Sequence, residues 1–168
     1  MSHESARAWL AENAPDLAIV DNGESTATVA EAARAIGVPP ERIAKTLALR
    51  VGGEPFLLVT RGDARLDNAK AKAAFGGRPR MLSVEETFAA TGHAVGGVCP
   101  FGLANPLPVY CDVSLRPYEE VFPAAGSLTT SVRVSPERLA GLVSSGWVDV
   151  CRVPDGPPPQ AGLGEVPA

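Results

Sequence analysis

Three lysines against twelve arginines make each lysine a choice rather than a default cation. Lys70 and Lys72 fall in a basic stretch, whereas Lys45 stands apart in RIAKTLALRV, at the head of an apolar segment. A compact ammonium with three donors suits a phosphate or carbonyl oxygen where a guanidinium is too broad. The plainer reading is a lysine that keeps a strand end wet, and spacing alone leaves both open. A second concentration lies at residues 92–102, GHAVGGVCPFG, with four glycines, a histidine and a cysteine. Gly92 follows a helical pattern and is accounted for as its stop. No helix end requires Gly96 or Gly97. Bare backbone there lets a ligand reach peptide N–H groups, and successive N–H groups form an anion or oxyanion site. An irregular turn is the competing reading.

His93 and Cys99 in the same stretch invite a thiolate–imidazole pair. No third residue is positioned to orient the imidazole, and nothing nearby lowers a thiol pKa. Asp112, in VYCDV, reads as an acid or as a strand-end residue. The cysteines (Cys99, Cys111 and Cys151) are odd in number and lack CxxC spacing, so neither a disulfide framework nor a zinc site is expected. Nothing in the sequence calls for a metal or cofactor.

Charge narrows the partners. The net charge of −4 argues against a non-specific nucleic-acid coat. Between Arg61 and Arg80, however, Arg61, Arg65, Lys70, Lys72, Arg78 and Arg80 outweigh Asp63 and Asp67. Such a patch suits one stretch of phosphate backbone, or else is a solvated helix face. No apolar run approaches the roughly 18 residues of a membrane span, and the N-terminus lacks a secretory pattern. A cytoplasmic protein with no membrane partner is the expectation.

The elements that must position these residues are readable. An opening helix fits Ser5–Ala14. A second has Ser25 or Thr26 as N-cap, Val29, Ala32, Ala33 and Ile36 as buried stripe, and Gly37 as stop. Two strands flank Gly52-Gly53, the second continuously apolar and therefore central. LDNAKAKAAFGG gives a short helix ending at Gly76, and Ser83 with Glu86 forms a capping box before a helix that stops at Gly92. LPVYCDVSL and TSVRV read as strands. SPERLAGLVSSG reads as a helix from Ser135 to Gly146 with Pro136 at its first position, and WVDVCRV closes the sheet. Residues 1–153 form one α+β domain with a mixed sheet. Residues 154–168, rich in Pro and Gly, form a disordered tail.

KTL after a helix, a strand ending VTRGDARLD, a lysine-bearing helix and the loop from Gly92 to Gly102 together resemble the YbaK/ProX family. These are free-standing relatives of the editing domain of bacterial prolyl-tRNA synthetases. The resemblance covers residues 17–153. It implies a compact α+β domain around a mixed, partly barrel-like sheet flanked by helices. It also implies a trans-acting deacylase that hydrolyses the ester of a mischarged tRNA. Lys45 would position the ester or the terminal phosphate, and Gly96 and Gly97 would offer amides to the oxyanion. His93, Pro100, Phe101, Gly126 and Ser131 would line the substrate site. Arg61, Lys70, Lys72, Arg78 and Arg80 would bind tRNA. The partner is the aminoacylated tRNA end, with an aminoacyl-tRNA synthetase as a further candidate and no DNA.

Ala124 and Ser131 depart from the serine and aspartate of the cysteine-specific branch, and the aromatic residue expected near Ile19 is absent. The departures favour tRNA for proline carrying a small residue such as alanine over cysteine. A non-catalytic tRNA-binding module on the same fold and an unrelated Cys/His hydrolase are the competing classes.

Overall fold

The apolar segments flanking Gly52 become the two longest strands in a computed structural model that describes residues 2–154. They are β2 (Ile43–Val51) and β3 (Glu54–Arg61), preceded by the short β1 (Ile19–Asp21). Residues 56–61 of β3 are all buried, as a continuously apolar central strand requires. β2 and β3 are antiparallel, and β6 (Val109–Asp112) lies parallel to β3. β9 (Gly146–Val148) continues in parallel beside β6 as one edge. The other edge is shared: β5 (Arg80–Met81) and β7 (Phe122–Pro123) both pair with β2, at opposite ends. The sheet is mixed and six-stranded but open, not closed into a barrel.

Strand alternation builds two cores. Ala44, Ala48, Leu57 and Val59 face the larger one, with Leu10, Phe101 and Leu139. Leu49, Phe56 and Leu58 face the smaller one, with Ala71 and Val150. The helices α1 (Ser2–Asn13), α2 (Val29–Ile36), α3 (Asn68–Phe75), α4 (Val84–Thr91) and α5 (Pro136–Val143) flank the sheet. The capping box of Ser83 and Glu86 forms in full, and Gly92 adopts the left-handed conformation after α4.

Three local expectations are corrected. Thr28, not Ser25 or Thr26, caps α2, because the Thr26 hydroxyl is taken by the Leu128 carbonyl. α5 ends at Val143, with Ser144 as its C-cap, whose N–H reaches the Ala140 carbonyl, and Gly146 opens β9 instead. WVDVCRV also divides. β9 stays in the main sheet, while β10 (Cys151–Arg152) pairs with β4 (Arg65–Leu66) in a separate ribbon. The remaining strand, β8 (Thr130–Val132), pairs with β1. The proposed tail lies outside the described residues apart from Pro154. Among the described residues no helix is long and apolar enough to cross a membrane.

Candidate active site

β2 is paired by β3 from Ala44 to Val51 but only at its ends on the other side. β7 covers Ile43 and Ala44, β5 covers Leu49 and Arg50, and the Leu82 N–H reaches the Ala48 carbonyl. Residues 45–47 of that edge have no strand partner, and a cavity of about 380 Å³ opens along them. That volume falls in the range of small-molecule sites, about 300–1,000 Å³. The walls come from the segment entering α2, from α2 itself, from Leu82, Val84 and Thr87, from Val95, Gly96 and Val98, and from Ala124 and Ser131. Most of the lining is apolar, with threonine and serine hydroxyls as the polar share. No Asp, Glu, His or Cys is among the lining residues, and Lys45 is the one charged residue.

Lys45, Gly96 and Ser131 are thus brought to one cavity. Alternation places the Lys45 side chain on the same sheet face as Leu47 and Leu49. Its Nζ donates to the Ala64 carbonyl at 2.7 Å, with Asp63, Arg65 and Cys151 nearby. Partial burial pushes this ammonium below the ordinary lysine range, only partly offset by its neighbours Cys151 and the Asp63 carboxylate. The turn that presents Ala64 is held by Arg61, which forks onto both carboxylate oxygens of Asp63, and by the Ala64 N–H to the Arg61 carbonyl.

The loop glycines have separate reasons. A Cβ on Gly97 would lie 3.1 Å from three backbone atoms of Ser127, and the Gly97 N–H donates to the Ala94 carbonyl at 2.9 Å. Gly97 is therefore a packing glycine whose amide is already spent, which removes it as an oxyanion donor. Gly96 has φ +99° and lines the cavity, and its N–H has no partner among the described residues. One amide is left for a ligand where two were expected.

Further site expectations are corrected by burial. His93 is completely buried, with Nε2 on the Phe101 carbonyl at 2.8 Å. Phe101 is likewise buried, against Trp9. Neither touches the cavity. Pro100 lines a different, shallower groove beside Trp9 and Leu142, and Gly126 sits buried in the turn before β8 rather than on the cavity wall. The Cys99 Sγ is 3.6 Å from His93 Nε2, yet burial pushes the thiol up to about 12. Cys111 and Cys151 are raised to about 11 and about 12 by the same cause. These thiols stay protonated, so the Cys/His hydrolase reading loses its nucleophile.

The basic stretch also divides. Arg61 is 8% exposed and lies over the Tyr118 ring, so it is a structural cation rather than a tRNA contact. Burial lowers its pKa, and the Asp63 carboxylate more than reverses that. Lys70 is partly engaged by Asp149 and the Cys151 carbonyl. Lys72, Arg78 and Arg80 are exposed and form no ion pair among the described residues.

Sequence reasoning missed Thr46. Its Oγ1 is buried without a hydrogen-bond partner, and the residue lines the cavity directly after Lys45. Its position inside KTL was the available signal. Ala124 and Ser131, singled out as departures, face each other across an antiparallel bridge on the cavity wall. The Ser131 hydroxyl accepts from Asn22 Nδ2 at 3.0 Å.

Comparison with known proteins places the chain in a family. Residues 23–142 match the aminoacyl-tRNA editing domain family. The uncharacterised protein YwhH of Bacillus subtilis (strain 168) is 43% identical over 154 residues, covering 90% of this chain and 98% of that protein. A proline–tRNA ligase of Shouchella clausii (strain KSM-K16) is 33% identical over 82% of this chain, which spans only 24% of the ligase. Among solved structures, a candidate trans-editing enzyme for prolyl tRNA synthetase superposes with a TM-score of 0.83 at 34% identity, covering 90% of this chain and 97% of that one.

Proposed function

This chain belongs to the aminoacyl-tRNA editing domain family, and from that membership we propose that it hydrolyses the ester of a mischarged tRNA in trans. The observation that carries the reading is the meeting of Lys45 and the unspent Gly96 amide at a cavity lined by no Asp, Glu, His or Cys. Water attacks the ester carbonyl carbon, the bond to the terminal ribose oxygen breaks, and the amino acid leaves as its carboxylate while the ribose regains its hydroxyl. The neighbouring ribose hydroxyl orients the water, so the protein need supply only position and charge. Gly96 N–H stabilises the developing oxyanion, a contribution of about 3–4 kcal/mol. Lys45 Nζ rests on the Ala64 carbonyl, and to hold the ester or the terminal phosphate it leaves that carbonyl and turns across the open edge at residues 45–47.

The wall made by Ala27, Ala44 and Ala124 with valines suits a small side chain. We infer alanine on tRNA for proline as the preferred ester, with cysteine disfavoured. A methylene of difference is worth only about 1–3 kcal/mol, so a second sieve for small residues has a purpose.

The test is a panel of tRNA for proline charged with alanine, cysteine, serine or proline, and tRNA for alanine charged with alanine or serine. Wild type and Lys45→Ala are compared with and without EDTA. Lysine-dependent, EDTA-insensitive hydrolysis of the alanyl ester on tRNA for proline is expected. Binding of tRNA without hydrolysis of any ester would instead make this a binding module.

A further inference from the structure

Of the nine aromatic side chains, Phe88 alone is mostly exposed, at 58%. It does not stand by itself. Val84 lies one helical turn before it on α4, so their side chains are neighbours. Met81, Val84 and Val95, all more than half exposed, line the cavity mouth. Leu128, 50% exposed, closes on Gly96 from across that mouth. Of the seven large exposed hydrophobics among the described residues, Met81, Val84 and Val95 therefore line one opening, and Phe88 and Leu128 each adjoin one of its residues. A soluble surface does not concentrate apolar groups in this way without a ligand. The occupant is indicated by what borders the patch. Arg80, beside Met81 on β5, lies close enough to Glu86 at the start of α4 to help lower that carboxyl, Arg78 lies two residues earlier, and neither guanidinium forms an ion pair among the described residues.

An exposed aromatic ring beside unpaired arginines is the arrangement that holds single-stranded nucleic acid: bases stack on the ring while cations follow the backbone. A protein partner needs no such cations, and a second copy of this chain would bring like charges together at Arg78 and Arg80. We propose that the rim of Met81, Val84 and Phe88 is a stacking platform for an unpaired nucleotide next to the one that enters the cavity, with Arg80 and Arg78 on its phosphates. The inference rests on the deacylase reading in taking a tRNA end as the molecule at the cavity. It adds a contact outside the cavity, to a base rather than to the amino acid.

Uncharged tRNA for proline, intact or lacking its unpaired 3′-terminal nucleotides, serves as the probe. Affinity is measured by fluorescence anisotropy at fixed salt for wild type, Phe88→Ala, Phe88→Tyr and Arg80→Ala. Phe88→Ala is expected to weaken intact tRNA about tenfold and leave truncated tRNA unchanged. Phe88→Tyr should restore the affinity, and Arg80→Ala should flatten the salt dependence for intact tRNA alone. Equal losses on both tRNAs, or none, would overturn the proposal. So would a dimer in sedimentation that Phe88→Ala dissolves, because the rim would then belong to a second copy. Failure of the deacylase reading looks different: wild type hydrolyses none of the esters while the Phe88 dependence persists.

Discussion

Substituting Gly96 and Gly97 in turn separates chemistry from packing at adjacent positions. An alanine at 96 must hold φ near +99°, which costs about 1–3 kcal/mol in backbone strain. Its Cβ would sit 2.8 Å from Leu128 Cδ2 and 3.3 Å from Ala27 Cβ. Leu128 is half exposed and swings aside, so the steric part is small. At roughly 2–4 °C per kcal/mol for a chain of this size, the melting temperature should fall by about 2–12 °C. The catalytic effect should be larger in proportion. Displacing the one unspent amide is expected to cut deacylation about 10²–10³-fold. Leu128→Ala added to Gly96→Ala relieves the contact but not the backbone, and so should not restore the rate.

Gly97→Ala behaves in the opposite sense. Its Cβ meets the Ser127 backbone, which is fixed by the Ser127–Thr130 hydroxyl pair at 2.7 Å, so overpacking costs about 1–3 kcal/mol. Its amide is already committed to Ala94, so the rate per folded molecule should fall far less than for Gly96→Ala. The assay is single-turnover deacylation of alanyl-tRNA for proline, with thermal melts on the same samples. A Gly96→Ala protein with full rate would remove the amide from the mechanism. Equal rate losses in the two variants would show that loop shape, not one N–H, is what matters.

Other substitutions test neighbouring parts of the argument. Asp63→Asn leaves the Arg61 guanidinium nearly buried without its carboxylate. A loss of about 2–3 kcal/mol is expected in denaturant melts, below the 3–5 typical of a fully buried pair because Asp63 keeps 24% side-chain exposure. Since that pair shapes the Ala64 turn, the alkaline limb of the deacylation pH profile, where Lys45 titrates, should move; a profile identical to wild type would detach the turn from Lys45. His93 has its pKa lowered by burial, only partly offset by the Phe101 carbonyl. The unfolded chain therefore takes up a proton near pH 6.5 that the folded chain refuses until lower pH, so stability falls as pH drops through that interval. In melts at pH 7 and pH 5, His93→Gln should lose less stability on acidification than wild type; an equal loss would assign the acid sensitivity elsewhere. Replacing Lys72 and Arg78 with glutamine should reduce the salt slope of tRNA binding without changing hydrolysis of a minimal aminoacyl ester, whereas equal effects on both would place these cations elsewhere.

Local signals in this chain were strong wherever a backbone conformation depends on a few adjacent residues. Ser83 with Glu86, Gly92 after a helical stripe, and the apolar run of β3 each state their role within a short window, and each role is found in the structure. The misplaced residues depend on contacts across the fold. Thr26 and Thr28 are equally good N-caps by type, and the choice falls to Thr28 because Leu128, 102 residues on, takes the Thr26 hydroxyl. Gly96 and Gly97 look alike in sequence. They differ because Ser127 packs against one and the cavity opens beside the other. Arg61 and Arg80 have the same side chain and opposite fates, one folded onto Asp63 and the other exposed.

The cavity itself was not legible, because it arises from a gap in pairing: β5 and β7 reach β2 at its two ends and leave residues 45–47 open between them. KTL occupies that gap. Its alternation sends Lys45 and Thr46 to opposite faces of the sheet, so one motif serves the ammonium turn at Ala64 on one side and sets a buried, unpartnered hydroxyl behind the cavity wall on the other. That division gives the motif a physical reason to be continuous. Inserting one residue into it would exchange the two faces, burying an ammonium where a hydroxyl belongs.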